Sequence, residues 1–182
     1  VVEIFGNNTF RMNGGTITGN TATNKGSETG GGVYVASDGI FTVSGAVKIT
    51  DNKRNEEINN VYLSTKSGNV ATITITDALG EDARIGVTTL SVAVVNSPVT
   101  IAKGGDGYTL TDADAARFTS DKGYYPGLDV DEVKMYKNPP QKHPICGETC
   151  THDGIHPDLV WEGITDLSYA TKAGNYYLMK SV

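Results

Sequence analysis

The residue types best suited to chemistry lie in one short segment, residues 143–156 (HPICGETCTHDGIH), which holds both cysteines and all three histidines of the 182 residues. The pattern H-x2-C-x3-C-x-H places four soft or borderline ligands within ten residues, a spacing found in structural zinc sites. The predicted ligands are His143, Cys146, Cys150 and His152, with His156 as a substitute ligand. Because four protein ligands leave no open position, zinc bound here would be structural.

The same two cysteines allow a second interpretation. Cys146 and Cys150 could close a disulfide across a tight loop, with the histidines merely nearby, and a secreted domain would favour that bond. Free thiols are a third alternative. We take structural zinc as the working prediction and the disulfide as its alternative, because all five Cys and His residues share one segment.

The charged residues form no recognisable catalytic motif, and no catalytic residue is predicted. The chain has no G-x-S-x-G, P-loop or HExxH pattern. The arginines fall at scattered positions: Arg11, Arg54, Arg84 and Arg117. Acidic residues do cluster at 129–132 (DVDE), but the run lacks the glycine-bearing spacing of calcium loops. We interpret it as solvated turn carboxylates.

Composition argues against two classes of interaction. A formal net charge of −6, with no basic patch interleaved with aromatics, argues against nucleic acid. No run of about 18 apolar residues occurs, so no membrane span is predicted in this fragment. The chain begins VVEIFGNNTF, without an initiator Met or a signal peptide, and is interpreted as a piece of a longer protein.

The first half of the chain contains a sequence repeat, which predicts the secondary structure there. Its copies are FRMNGGTITGN at 10–20, FTVSGAVKITDN at 41–52, and a looser third copy at 70–87. The offset between the first two copies is 31 residues at Phe10 and Phe41, and 32 at Ile17 and Ile49, after one inserted residue. Between the copies, GGGVYV is echoed by NNVYL. A period in this range indicates stacked supersecondary units.

Each unit is built from short strands. FTVSG and ITIT alternate apolar and polar residues, which marks strands with one buried face, and Gly-Gly, Gly-Asn and Asp-Asn pairs mark turns. Short strands repeated about every 30 residues predict an all-β fold made of parallel β-helix coils. The predicted inward residues stack into a narrow apolar core: Phe10, Met12, Ile17, Val33, Val35, Phe41, Val43 and Ile49.

Asn20 and Asn52 fall at matching turn positions of the repeat. Asn tolerates the left-handed conformation and can hydrogen-bond its own backbone, so each could simply be a turn former. Stacked on neighbouring coils, the two side chains could instead bond to each other as a ladder. Both alternatives are compatible with the sequence.

Later segments predict further strands and one helical turn. Residues 88–102 read as two strands broken near 97–98. Residues 112–118 could form a helical turn with Thr111 or Asp112 as its N-cap. A hairpin over 124–136, with its turn near 131–132, would complete a small β cap on the last coil, since an open β-helix end invites aggregation.

The repeats resemble those of a known class of surface protein. MNGGTITGNTA, GGGVYV, GIFTVSG and ITDN are similar to the repeats of right-handed parallel β-helix proteins on the surface of gut bacteria, mainly Firmicutes. Residues 59–89 and 98–136 resemble the segments that follow and end such a module, and AGNYYLMKSV resembles the opening of the next one. The likeness covers nearly the whole chain. It implies a right-handed parallel β-helix of a few irregular coils, an extracellular, cell-surface setting and an anaerobic habitat, which favours metal over disulfide.

These observations divide the chain into three parts. Residues 1–136 are predicted to form the β-helix with its C-terminal cap, 137–165 a Pro-rich linker and Cys/His connector, and 166–182 the start of a following β module. The predicted function is a non-catalytic, adhesin-like module of a large bacterial surface protein, a stalk or a binder of host protein or glycan beside neighbouring modules. The alternative is a polysaccharide-acting β-helix of the lyase or hydrolase kind.

Two sets of side chains are candidates for contacting a partner. One set is expected on the flat outer faces of the coils: Thr16, Thr18, Tyr34 and Thr42. The other could form an aromatic patch near the cap: Tyr124, Tyr125 and Tyr136. Packing at the edge and the cap is the alternative role of these tyrosines.

Overall fold

The computed structural model describes residues 1–23, 29–94 and 97–139, together with the strand positions at 141–142 and 149–150. The chain divides into two compact units, Val1–Pro139 and Pro140–Val182. Each unit is described by itself.

The first unit begins with two turns of the same construction. The first turn contains four strands: β1 (Val2–Ile4), β2 (Thr9–Met12), β3 (Gly15–Thr18) and β4 (Thr21–Ala22). The second turn repeats them: β5 (Val33–Val35), β6 (Ile40–Gly45), β7 (Val47–Thr50) and β8 (Lys53–Arg54). Each strand of the second turn lies parallel to its counterpart in the first.

Two further turns follow, with insertions. Strand β9 (Glu57–Ile58) folds back on β8 as an antiparallel hairpin. The third turn then contains five strands: β10 (Val61–Leu63), β11 (Thr65–Lys66), β12 (Asn69–Val70), β13 (Ile73–Leu79) and β14 (Arg84–Thr89). The fourth contains two strands and a short helix: β15 (Val99–Gly104), α1 (Asp112–Ala115) and β16 (Phe118–Ser120).

Stacking of these turns produces parallel sheets around one core. Strands β2, β6, β13 and β15 form one stack, β3 and β7 a second, and β1, β5 and β10 a third. Strand β14 links the last two, since Arg84 and Ile85 pair with β7 whereas 87–89 pair with β10. The result is a β-solenoid of about four turns. The predicted all-β, parallel β-helix architecture is confirmed.

The register reproduces the sequence repeat. Phe10 pairs with Phe41, and Ile17 pairs with Ile49. The residue inserted in the second copy lies between β6 and β7, next to Gly45, whose φ of +65° suits a left-handed corner. An extra residue at a corner does not change which face the side chains of the flanking strands occupy. Matching residues of the two copies therefore pair on both sides of the insertion, at the offset of 31 before it and of 32 after it.

The core consists of the side chains that the alternation predicts. Six of the eight predicted inward residues are buried: Met12, Val33, Val35, Phe41, Val43 and Ile49. The other two, Phe10 and Ile17, are partly buried and pack against the same core. The Phe10 and Phe41 rings stack with centroids 5.5 Å apart. Burial of each large apolar side chain contributes about 1.5–3 kcal/mol to stability.

Parallel stacking stops after the fourth turn. Strand β17 (Tyr125–Asp129) and strand β18 (Glu132–Tyr136) form a hairpin, and β18 pairs with β15 in the antiparallel sense. The predicted hairpin and helical turn are both present, and Thr111 is the N-cap of α1, with a capping box that involves Asp114.

One strand prediction is wrong. Leu90, Val92 and Val94 alternate with shorter residues, yet their side chains are 49%, 62% and 55% exposed, and this stretch forms only an isolated bridge between Val94 and Ser97. Pairing with β10 ends where Leu90 N–H donates to the Leu63 carbonyl (3.1 Å). Alternation shows which residues share a face, but a strand also needs a neighbour with which to pair.

In the second unit, two short strands are described, β19 (Gln141–Lys142) and β20 (Thr149–Cys150). They pair in the antiparallel sense, with the backbone of Gln141 opposite that of Cys150. Nowhere in the described ranges is a helix long and apolar enough to cross a membrane.

Candidate functional site

Four side chains at one corner of the solenoid form a hydrogen-bonded row, the amide ladder, that runs from the first turn to the fourth: Asn20, Asn52, Asn60 and Asp121. Asn20 Nδ2 donates to Asn52 Oδ1 (2.9 Å), Asn52 Nδ2 donates to Asn60 Oδ1 (3.1 Å), and Asn60 Nδ2 donates to Asp121 Oδ1 (2.7 Å). The predicted bond between Asn20 and Asn52 is thereby confirmed. The sequence did not indicate Asn60, which stands opposite Gly32 in the NNVYL echo, or Asp121, which lies outside the matched copies.

Backbone groups are tied into the same row. The N–H groups of Asn20 and Asn52 donate to the Oδ1 atoms of Asn52 and Asn60 (3.1 and 2.9 Å), and Asn60 N–H donates to Asp121 Oδ2 (2.7 Å). Gly86 lies against the ladder, where an added Cβ would come within 2.3 Å of Asn60 Nδ2. Such a satisfied polar network rigidifies the corner that carries it.

A charged hairpin projects from this corner between Asn52 and Asn60. Strands β8 and β9 form it, and Asn59 N–H donates to the Asn52 carbonyl (2.8 Å) at its base. Its two turn residues, Asn55 and Glu56, have φ values of +48° and +71°. Positive φ at both central residues is the geometry of a two-residue type I′ hairpin.

The hairpin forms one wall of a cleft of about 390 Å³, here called the Tyr62 cleft. Other parts of its lining come from β10, from β14 and the residue after it, and from the loop that follows β16. Its lining residues are Arg54, Asn55, Glu57, Asn59, Tyr62, Thr88, Thr89, Leu90 and Lys122. The cleft therefore combines two cations, one carboxylate, amides, hydroxyls and apolar surface.

An aromatic stack supports the floor of the Tyr62 cleft. The rings of Tyr34 and Tyr62 stack with centroids 5.8 Å apart, and the Phe5 ring lies 5.1 Å from that of Tyr34. Thr88 continues the row, since it pairs with Tyr62 in the sheet register. Side chains packed against three successive turns give the cleft a floor of fixed shape.

One ion pair spans the cleft. Lys122 Nζ lies 2.5 Å from Glu57 Oε2, and the two side chains are 43% and 74% exposed. The hydrogen bond from Lys122, followed by its positive charge, holds the pKa of Glu57 below its usual value. The two charges thus neutralise each other within the lining of the cleft.

A second carboxylate, that of Asp114, is buried and has a structural role. Asp114, 1% exposed, accepts hydrogen bonds from Leu79 N–H (2.9 Å), Thr111 Oγ1 (2.7 Å) and Tyr108 Oη (2.9 Å). Burial alone raises the pKa of Asp114, but these hydrogen bonds together lower it below its usual value. Burial, with the bond to Asp114, raises the pKa of Tyr108 to about 12. These groups pin α1 to the solenoid.

The acidic run at 129–132 is less solvated than its sequence suggests. Lys134 Nζ lies 2.7 Å from Asp129 Oδ2 and 3.3 Å from Glu132 Oε2, and Asp131 Oδ1 accepts from Leu110 N–H (2.8 Å). The carboxylates are half-buried and partnered, because the hairpin lies against β15. The interpretation as simple solvated turn residues is corrected accordingly.

The predicted metal ligands lie mostly beyond what is described. His143, Cys146, His152 and His156 fall outside the described residues, and for Cys150 only the backbone strand is described. Within 1–23, 29–94 and 97–139, no group of three or more His, Cys, Asp or Glu residues could hold a metal ion. Zinc and the disulfide both stay predictions.

The predicted outer-face contacts are only partly exposed. Thr16 and Thr18 are exposed, but Tyr34 and Thr42 are 1% and 6% exposed, so that part of the prediction is wrong. Tyr34 is covered because its ring lies between those of Phe5 and Tyr62.

The expected aromatic patch near the hairpin is likewise incomplete. Tyr136 is buried, Tyr125 is 45% exposed, and Tyr124 is half-buried with Lys137 Nζ 5.5 Å from its ring centroid. The packing role of these tyrosines therefore predominates over an exposed patch.

Comparison with known proteins returned no match to a family model, to a curated protein or to a solved structure. The resemblance to gut bacterial surface proteins consequently stays a prediction. The geometry of the Tyr62 cleft is the firmest guide to function.

Proposed function

We propose that this chain is a non-catalytic, adhesin-like module of a large bacterial cell-surface protein that binds a host protein or glycan. The Tyr62 cleft is the observation that carries the proposal. At about 390 Å³ it lies in the size range of small-ligand sites. It brings polar, charged and apolar groups together on the outside of a regular solenoid, where a partner can reach them.

Preorganisation supports a binding role. The amide ladder fixes the corner from which the β8–β9 hairpin projects, and the stack of Tyr34 on Tyr62 fixes the floor. A site that is already rigid loses little conformational freedom when it binds. The backbone that forms the cleft therefore needs no rearrangement when a ligand binds.

The placement of acidic groups supports the non-catalytic part of the proposal. Asp114 is ionised and held by four donors, counting Thr111 N–H with the three named above, and Asp121 ends the amide ladder. Asp129 and Glu132 pair with Lys134. A general acid or base must exchange a proton with substrate, and these carboxylates are committed to structural bonds instead.

The finer architecture belongs to the same proposal. We assign a right-handed solenoid whose β17–β18 hairpin acts as a cap, because Pro126 and the charged Asp129 lie on its outer strand and discourage further strand pairing. We assign residues 137–165 to a connector cross-linked by structural zinc. The spacing of His143, Cys146, Cys150 and His152 supports that assignment.

The proposal is tested by binding and turnover measurements on the whole chain. The chain should bind a restricted set of ligands on an array of glycans and immobilised host extracellular proteins. Incubated with polygalacturonate and other acidic polysaccharides, it should release no new reducing ends. The same weak signal on every spot of the array would contradict the binding role. Cleavage of any of the polysaccharides would establish the alternative function, that of a lyase or hydrolase.

A further inference from the structure

We propose that the Tyr62 cleft binds an acidic saccharide, a uronic or sialic acid unit, whose carboxylate replaces that of Glu57 at Lys122. This inference rests on the proposed binding function and names its ligand class. Lys122 and Arg54 supply two positive charges to the cleft, and Glu57 supplies one negative charge. With Glu57 displaced, the ammonium group of Lys122 takes a ligand carboxylate in its place, and Arg54 adds positive charge to the lining.

The ion pair between Lys122 and Glu57 is weak enough for a ligand carboxylate to displace Glu57. Both partners are substantially exposed, with side-chain exposures of 43% for Lys122 and 74% for Glu57. Exposed pairs of this kind are weak, because water and salt screen both charges. Glu57 also lies in a two-residue strand next to the tight turn of a projecting hairpin, so its side chain can swing into solvent without disturbing the solenoid. Glu57 acts as an internal competitor of the ligand.

The remaining lining fits a sugar ring better than a simple anion. Leu90 lines the cleft and is 49% exposed, so it provides apolar surface for the C–H face of a pyranose, whereas Tyr62, 5% exposed, supports the floor. Asn55, exposed in the hairpin turn, also lines the cleft, and its amide offers a donor and an acceptor for ring hydroxyls. The cleft volume of about 390 Å³ is at the small end for ligand sites, which suits one or two sugar units.

Calorimetric titration of the full 182-residue chain tests this assignment. The probes are sialyllactose and digalacturonate, with lactose as the neutral sugar and acetate as the bare carboxylate. We expect binding of at least one acidic sugar, little binding of lactose or acetate, and weaker binding as salt increases, because exposed charges are screened.

Three variants separate the cleft from the rest of the surface. Glu57→Gln should tighten binding of the acidic sugar about threefold to tenfold, since it removes the competitor, and Lys122→Gln should weaken it at least about tenfold. Lys66→Gln, on an exposed strand that does not line the cleft, is the matched control and should leave the affinity unchanged. Equal affinities in all four proteins, or acetate binding as tightly as the sugars, would overturn the proposal.

The experiments distinguish failure of the acidic-saccharide assignment from failure of the proposed binding function. If array binding persists undiminished in Lys122→Gln, or if the ligand retained is an acidic host protein rather than a saccharide, the acidic-saccharide assignment is wrong while the binding module stands. If the chain binds nothing on the array and no acidic sugar in solution, both proposals fail.

Discussion

At the residue scale, the amide ladder explains why Asn and not another turn former occupies the corner of the solenoid. Asn52 is completely buried and both donates to and accepts from ladder neighbours. A buried amide without such partners would be strongly destabilising, whereas a satisfied one adds to stability and fixes the register.

Replacement of Asn52 by Ala should lower the free energy of unfolding by about 2–3 kcal/mol, because Asn20 N–H and the Asn60 side chain each lose a buried partner. Urea unfolding at neutral pH measures the change. Asn13→Ala is the control, since the bond that its side chain accepts from Ser44 is solvent-exposed, and it should cost about 0.5 kcal/mol or less. Equal effects of the two substitutions would contradict a structural role for the ladder.

Asp114 should make the fold sensitive to acid. Its pKa in the folded state is lowered, so its stabilising contribution is complete above its unfolded pKa of about 3.9 and is lost as the pH falls through the folded value. Asp114→Asn should therefore be destabilised relative to wild type at pH 7, by about 1–3 kcal/mol, and this difference in unfolding free energy should narrow as the pH falls below about 4. Asp82→Asn, at an exposed position, is the control. A difference that stays constant with pH would refute this role.

At the element scale, the repeat predicted the strands and their partners, because each copy had to place the same residue types against the same core. The offset of 31 residues at Phe10 and Phe41 is visible as direct pairing in the sheet. The Tyr62 cleft could not be found this way. It joins Glu57 to Lys122, which are 65 residues apart and belong to no repeat. The charged run KRNEEI, whose middle pair Asn55 and Glu56 forms the turn, is the sequence signal of the projecting hairpin.

The turn between β17 and β18 holds a valine in a backbone conformation that valine disfavours, and substitution can remove this strain. Val130 is 91% exposed and has a φ of +55°, a conformation that a β-branched side chain disfavours and Asn or Gly tolerates. Val130→Asn should raise the free energy of unfolding by about 1 kcal/mol. Val92→Asn, also exposed but without a positive φ, should change it little. Thermal unfolding of the two variants decides the matter, and a destabilised Val130→Asn would show that the valine has another role.

The Cys/His segment gives a prediction that depends on its spacing alone. Elemental analysis should find one zinc per chain, and the thiols of Cys146 and Cys150 should become reactive only after a chelator is added. Absence of metal, with no thiol that reacts before reduction, would establish the disulfide instead.

At the scale of the whole molecule, the two ends of the solenoid differ. The fourth turn is covered by the β17–β18 hairpin, which pairs with β15, whereas in the described chain β1, β2 and β3 pair on one side only. The core residues Phe10 and Ile17 are correspondingly only partly buried, unlike Phe41 and Ile49 below them. Local stability should therefore rise from the first turn towards the third.

Hydrogen exchange of the isolated 182-residue chain reports this gradient. Amides of β2 and β3 should exchange at least about tenfold faster than those of β6 and β7, because one-sided pairing and thinner core packing lower the free energy of local opening. The amides of Ile73, Thr74 and Ile75, where β13 is paired on both sides, serve as the protected reference. Uniform protection across all turns would contradict the stacking account.

The central claim is that the rigid outer corner of the solenoid presents the Tyr62 cleft to an acidic sugar. NMR titration of the whole chain with sialyllactose and digalacturonate tests it most directly, with the Tyr62 ring, the Leu90 methyls and the Lys122 side chain as reporters. Saturable shifts are expected at these three residues with at least one of the two sugars, at low salt, and none with lactose. Saturable shifts confined to other faces, or no shifts with either acidic sugar, would contradict it.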